Sequence, residues 1–422
     1  MPDPTRQDEP VDARFRAFPD LGLTLGEVPE AGWTVADLLL PVVTLRESAV
    51  AHNIARMAAW CAERGVSLAP HGKTTMAPQL FERQLAAGAW AITAATIGQA
   101  RLMRAFGVPR VLLANQVVDA PGLRWLAAEL RRDPGFTFLC LVDSVEGVEL
   151  MEAVLAEADA ARPVDVLVEL GVPGRRTGVR DPADLVALAE RVAASRWLAL
   201  AGVEGYEGVL PPSRAAAAVR RVDDFLARLV AAVQVLDGKG LFRDRTELVV
   251  TAGGSAFFDR VVAATSRLAG TSVPVRAVLR SGGYVTHDHL SYERSSPLRA
   301  EAAGPGERLR PALELWARVL STPETGLAVA GFGKRDAPYD LDLPVPLARR
   351  AAGAVAAEPL VGAAEVVELN DQHAFLHHDG RLRVGDLLTF GLSHPCTAFD
   401  KWSLLPVLDD EDRVVDAVRT YF

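Results

Sequence analysis

The sequence predicts an α/β protein: a (β/α)8 TIM-type barrel followed by a C-terminal all-β domain. Two observations carry this. From about residue 45 to residue 285, short apolar runs alternate with amphipathic helical runs, as expected of parallel strands buried on both faces by helices. Beyond residue 301 the apolar runs are short and separated by turn residues, the signature of an all-β domain. The alternation supplies eight strand runs, and eight suit a closed barrel. An open doubly wound sheet is the alternative. It calls for a G-x-G-x-x-G turn after the first strand, which this chain does not have.

The strand runs are Ser67 to Lys73, Trp90 to Ala95, Arg110 to Asn115, Phe136 to Asp143, Val164 to Gly171, Leu198 to Tyr206, Glu247 to Gly254 and Ala277 to Tyr284. Helical spacing of apolar residues from Ser48 to Met57 leads the first strand. A second helix is expected over Asp181 to Ala194, with Asp181 as its cap and Pro182 in its first turn. In the C-terminal part the runs are Pro311 to Ser321, Thr325 to Ala330, Ala364 to Leu369, Leu387 to Phe390 and Ser403 to Leu408, with a turn at Asp379-Gly380. Trp33 to Val43 is expected to add a strand to that domain. The division is therefore residues 1–40 as a segment joining the β domain, 41–300 as the barrel, and 301–422 as the β domain.

Composition narrows the function classes. The chain has 422 residues, half of them hydrophobic, and a net charge of -9. An acidic surface is ill-suited to nucleic acid, whose binding needs cations to displace counterions. No apolar run approaches a membrane span, and residues 1–10 are polar and proline-rich without a signal-peptide pattern. Three distant cysteines, Cys61, Cys140 and Cys396, argue against a disulfide scaffold and for a reducing cytoplasm.

Candidate chemistry falls at the C-terminal ends of the barrel strands, where such folds place their active sites. His71 and Lys73 end the first strand and Arg176 follows the fifth. Tyr206 ends the sixth, Gly253-Gly254-Ser255 the seventh, and Gly282-Gly283-Tyr284 the eighth. Each alone reads as a cap or turn. Together they offer a lysine that desolvation can turn into a nucleophile and two glycine-rich turns whose amides can hold an anion. A reactive lysine and a phosphate cup suggest pyridoxal phosphate, with Arg176 facing its phenolic oxygen and Tyr206 its ring nitrogen. Farther on, His394 and Cys396 are two residues apart. In a strand that spacing puts both side chains on one face, able to grip one metal ion. The cysteine favours zinc, with manganese the alternative. His373, expected on a neighbouring strand, is a candidate proton donor or third ligand. His287 and His289 are weaker candidates for the mouth of the site, His377 and His378 read as solvated, and His52 as structural. Cys61 and Cys140 read as core.

Pro70-His71-Gly72-Lys73-Thr74, Arg176-Thr177-Gly178, Gly253-Gly254-Ser255 and His394-Pro395-Cys396, in this order, resemble the D-threonine aldolase and D-serine dehydratase family. These are fold-type III pyridoxal phosphate enzymes with an alanine racemase-like barrel. The resemblance covers nearly all of the chain after about residue 35. It implies that Lys73 bonds the cofactor and removes the substrate's α-proton, that a metal on His394 and Cys396 activates a β-hydroxyl, and that the protein is a homodimer. The chain departs from many members at Ala69, where an arginine is common, and at Thr75-Met76, where His-Lys is common. Leu392 to Trp402 resembles a bacterial branch often described as amino-acid deaminases. The expected activity is a D-serine dehydratase type of lyase giving a 2-oxo acid and ammonia. The alternatives are an aldolase giving glycine and an aldehyde, an amino-acid racemase, and a non-catalytic pyridoxal phosphate carrier.

Overall fold

The structure is a computed structural model; it describes residues 7–19, 22–299, 302–304, 306–354 and 356–422. The first six residues of the N-terminal segment lie outside the described residues. The chain divides into two compact units. One comprises Ala58–Lys73 and Gln84–Gly282. The other comprises Pro2–Met57, as far as described, with Thr74–Arg83 and Gly283–Phe422.

In chain order the strands begin with β1 (Val42–Arg46) of the second unit. The first unit then supplies β2 (Ser67–Leu68), β3 (Ile92–Ala94), β4 (Arg110–Gln116), β5 (Thr137–Val142), β6 (Val164–Leu170), β7 (Leu198–Gly205), β8 (Leu248–Ala252) and β9 (Val275–Leu279). These pair in parallel in the order β2-β9-β8-β7-β6-β5-β4-β3. The ring closes at His71, which bridges Thr93 in parallel just past β2, with Thr93 N–H donating to the Pro70 carbonyl at 2.8 Å. The predicted closed barrel is thus present. Its interior is packed by buried residues contributed around the ring, among them Ala69, Leu112, Leu139, Leu167, Ala201, Val249 and Val278. Alanine recurs where facing strands crowd the axis, which keeps the interior a filled core.

Two expected boundaries shift for local reasons. The run Ser67 to Lys73 is a strand only to Leu68, because Pro70 lacks the N–H a ladder needs; Gly72–Thr74 then forms a 3-10 turn that carries Lys73. The last barrel strand starts at Val275 and stops at Leu279, so Ser281 to Tyr284 lie in loop and turn rather than strand. The helix expected from Asp181 is observed over Pro182–Ala193, with the Asp181 carboxylate accepting the Ala183 N–H at 2.7 Å.

The second unit is built mostly from antiparallel pairs. After β1 come β10 (Leu313–Glu324), β11 (Leu327–Ala330), β12 (Val345–Arg350), β13 (Glu358–Pro359), β14 (Ala364–Leu369), β15 (Ala374–His378), β16 (Leu387–Gly391), β17 (Leu404–Leu408) and β18 (Val414–Arg419). They run in the order β13-β12-β16-β10-β1-β17-β18, with β11, β15 and β14 added beside β10. The N-terminal strand begins only at Val42, since Val35–Asp37 is a 3-10 turn held by a Thr34–Asp37 capping box. It pairs antiparallel with β10 and parallel with β17. Among the described residues no helix is long and apolar enough to cross a membrane.

Candidate functional site

The barrel unit gathers most of the predicted cofactor residues around the ends of β2, β7 and β8. Lys73 is half-buried in its 3-10 turn. Beside it, His71 is held well below the ordinary imidazole value, first by burial and then by the cations Lys73, Arg280 and Arg176. It is therefore a neutral imidazole, and its Nδ1 is buried with no hydrogen-bond partner among the described residues. Tyr206 follows β7 and has the Arg176 guanidinium 5.3 Å from its ring centroid; Arg176 itself is exposed. Arg280, nearly fully buried, lies 6.0 Å from the same ring centroid. Its Nη1 donates to Thr251 Oγ1 at 2.8 Å, and its Nη2 donates to the Gly205 carbonyl at 3.2 Å and to a carboxyl oxygen of Glu204.

Glu204 lies in a carboxylate-rich spot. Burial, with Glu169 and Glu207 adding to it against Arg280, pushes its carboxyl up to about 8. Glu169 is also raised by burial, while its oxygens accept from Gln116 Nε2 at 2.5 Å and Thr177 Oγ1 at 3.0 Å. Thr177 of the Arg-Thr-Gly motif is thus tied to the strand that precedes it.

The glycine-rich turn after β8 differs from expectation. Gly253 lies in the left-handed region at φ 97, which suits glycine. Yet its N–H and that of Gly254 donate to the buried Glu207 carboxylate, at 3.0 and 2.7 Å. These two amides are therefore spent on a side chain rather than turned to an anion, and Ser255 is the member of the triplet left for one. A Cβ on Gly254 would sit 3.2 Å from the Tyr206 ring, so the missing side chain is what lets the ring lie against this turn. Gly282 ends the barrel unit. Gly283 and the buried Tyr284 begin the second unit's next turn, and the glycine at 283 is explained by packing: a Cβ there would lie 2.1 Å from Tyr292.

In the second unit the His-x-Cys motif is not a strand. His394 is left-handed at φ 54, and Pro395 caps the short helix Cys396–Phe399. The alternation argument therefore fails here, because proline cannot extend the ladder and the chain turns instead. The two side chains meet all the same. A hydrogen bond to Cys396, supported by the Asp340 carboxylate, raises the His394 imidazole to about 9. Asp340 Oδ2 lies 2.5 Å from His394 Nδ1, and Asp340 Oδ1 accepts from Thr397 Oγ1 at 3.0 Å. Cys396 Sγ lies 3.3 Å from Thr74 Oγ1 and 4.0 Å from the Tyr292 hydroxyl. A sulfur and an imidazole that share a proton, with a carboxylate behind the ring, form a donor set that suits a cation. A carboxylate on one ring nitrogen is also how metal-binding histidines are oriented. Among the described residues no group of three or more His, Cys, Asp or Glu side chains is arranged to hold a metal, so protein ligands would be two, with open positions left.

The remaining histidines separate. His373 is exposed in the bend before β15, and its carbonyl accepts the Asn370 N–H at 2.9 Å. The structure does not bring it to His394 and Cys396. His377 is exposed, while His378 Nδ1 accepts the Gly380 N–H at 3.0 Å and so belongs to the turn. His287 is buried and left-handed, with Nε2 2.8 Å from Glu293. His289 is pushed down to about 4, chiefly by burial. His52 binds the Arg308 carbonyl at 2.9 Å, a structural role. Cys61 and Cys140 are buried, and burial pushes both thiols up to about 12. Sequence reasoning missed Glu204, Glu207, Arg280, Asp288 and Asp340. Arg280 had a signal, a lone charge closing the apolar run Val278-Leu279.

Comparison with known proteins agrees with the resemblance read from the motifs. Residues 312–408 match the model of the putative serine dehydratase domain. The chain is 30% identical over 241 residues to a D-threonine aldolase of Arthrobacter sp., covering 56% of this chain and 61% of that one. It is 32% identical over 176 residues to the D-threo-3-hydroxyaspartate dehydratase of Delftia sp. (strain HT23), covering 42% and 45%. The chain thus spans about three fifths or less of the length of these curated relatives. In three dimensions the D-threonine aldolase from Filomicrobium marinum matches at TM-score 0.74 and 25% identity, over 92% of this chain and 97% of that one. The Delftia dehydratase matches at 0.72 and 25%, over 92% and 99%. An alanine racemase-like protein from Idiomarina loihiensis shares the fold at TM-score 0.69 and 15% identity, over 90% and 96%.

Proposed function

We propose that the protein is a pyridoxal phosphate- and metal-dependent lyase acting on β-hydroxy D-amino acids, of the D-serine dehydratase type. The observation that carries the reading is the pairing of two motifs around one stretch of chain. Lys73 stands half-buried beside a neutral His71, and the next residue, Thr74, has its hydroxyl on Cys396 Sγ.

The barrel residues fit the cofactor. They comprise an accessible lysine, an orphaned buried imidazole nitrogen, an aromatic ring lying on a glycine turn, and a buried guanidinium. Pyridoxal phosphate supplies an electron sink for the carbanion left when an α-proton departs. Lys73 Nζ would hold the cofactor and then take the α-proton. His71, kept neutral, brings no third cation beside that amine. Arg280 is pinned by Glu204 and Thr251, so its charge stays on one side of Tyr206. The anionic arm falls to Ser255 and the turn at Gly282, because Glu207 claims the amides of Gly253 and Gly254.

His394 and Cys396 would hold the metal, and the sulfur donor favours zinc over manganese. When bound it supplies Lewis-acid polarisation of a β-hydroxyl. Asp340 fixes the His394 ring, and Thr74 meets the sulfur. A cysteine-to-alanine variant of a D-threo-3-hydroxyaspartate dehydratase, matched at TM-score 0.73 and 25% identity over 92% of this chain and 99% of that one, is in a metal-free form, which supports a metal in this reading.

A second reading is favoured by the two D-threonine aldolases among the similar proteins: cleavage of the Cα–Cβ bond to glycine and an aldehyde. Assaying a panel of D- and L-β-hydroxy amino acids for ammonia, 2-oxo acid, glycine and aldehyde separates the two. Ammonia with 2-oxo acid from D-substrates supports the dehydratase, and glycine with aldehyde replaces it by the aldolase. We further propose that the protein is a homodimer. Light scattering at the mass of one chain would refute that.

A further inference from the structure

The geometry points to Asp288 as the positioning residue of the His394–Cys396 motif. This rests on the reading of that pair as metal ligands. Asp288 is 1% exposed and divides its two oxygens between two segments. Oδ1 accepts the backbone N–H groups of Leu290 at 2.9 Å, Tyr292 at 2.8 Å and Glu293 at 3.4 Å. Oδ2 accepts the N–H of His394 at 3.0 Å.

That last bond falls where the chain needs it. His394 occupies the left-handed region at φ 54, which is unfavourable for a residue bearing a Cβ and persists where the surroundings fix it. The Oδ1 bonds hold the start of the short helix Ser291–Ser295, in the loop-and-helix segment that presents Tyr292, whose hydroxyl lies 4.0 Å from Cys396 Sγ. The two segments are also in close contact farther back. The His289 N–H donates to the Leu392 carbonyl at 3.1 Å, and a Cβ on Gly391 would lie 2.5 Å from the His289 ring. One buried carboxylate therefore sets both the backbone turn that aims the His394 ring and the loop that faces the sulfur. Asparagine cannot replace it, because its amide group donates and would confront either the His394 N–H or the loop amides.

The test is cobalt(II) titration of the metal-stripped full-length protein, followed by thiolate-to-cobalt absorbance, on wild type, Asp288→Asn, His394→Ala and Cys396→Ala. Asp288→Asn should bind cobalt about ten- to a hundredfold more weakly, the range seen when residues that orient metal ligands are lost, with a thermal melt that remains cooperative. Cobalt affinity and band position equal to wild type in Asp288→Asn, while His394→Ala and Cys396→Ala lose the band, would overturn the role of Asp288 alone. Retention of the band in those two variants would instead overturn the metal reading and the role with it. Asp288→Ser, which keeps a short acceptor for the loop but gives up the reach to His394, is titrated in parallel. If Asp288→Asn does not fold, the same criterion applies to this variant.

Discussion

At the scale of single residues, the chemistry rests on side chains whose partners lie far along the chain. Lys73, His394 and Cys396 could be singled out in the sequence because their motifs occur together and in one order along the chain. Asp340, Asp288 and Glu207 were not, because a carboxylate announces nothing until the amide or imidazole it serves is brought to it by the fold. His373 differs from expectation in its place: expected on a strand, it lies just before β15 and is exposed. Glu204 gives a pH prediction. Its carboxyl is pushed from 4.5 to about 8, first by burial, so the folded state holds a proton that the unfolded state has lost. That contribution to stability is complete below about pH 4.5 and is lost as pH rises through about 8. Thermal melts from pH 5 to 9 should show wild-type stability falling with pH, and Glu204→Gln should flatten the slope. Equal slopes in the two proteins would refute a protonated Glu204. Lys73→Ala should abolish the absorbance of lysine-bound pyridoxal phosphate in the purified protein, and a persisting band would remove that residue from the cofactor.

At the scale of elements, the six barrel strands between the first and the last were read to within two residues, because burial on both faces leaves continuous apolar runs such as Thr137–Val142. The β domain was read less fully. Val345–Arg350 holds a proline and ends in two arginines, and much of it is half-exposed, so neither alternation nor a continuous run marks it as a strand. The His-x-Cys segment was misread as extended, since its intervening proline signals a turn more strongly than its neighbours signal a strand. Two substitutions test the elements. Asp181→Ala removes the cap of the helix Pro182–Ala193 and should cost about 1 kcal/mol in urea unfolding. Glu207→Ala strips the acceptor from two buried amides. It should cost about 2–6 kcal/mol, given about 1–3 kcal/mol for each buried donor left unsatisfied. A loss under about 1 kcal/mol would mean that the turn after β8 does not depend on that carboxylate.

At the scale of the whole molecule, the closed parallel barrel and the antiparallel second unit match the architecture expected from the sequence, and the similar proteins share it over most of their length. Architecture alone does not choose the reaction, since the alanine racemase-like neighbour has the same fold at 15% identity. Beyond the fold, this chain carries a half-buried lysine after the first barrel strand and a sulfur–imidazole pair in the second unit. The central claim is that both are used on one substrate. The most direct measurement is turnover of D-serine and D-threo-β-hydroxy amino acids before chelation, after complete metal removal, and after zinc is restored. The account predicts 2-oxo acid and ammonia from the D-enantiomers only, lost with the metal and recovered with zinc. Undiminished product from metal-free protein, or interconversion of enantiomers as the only reaction, would contradict it.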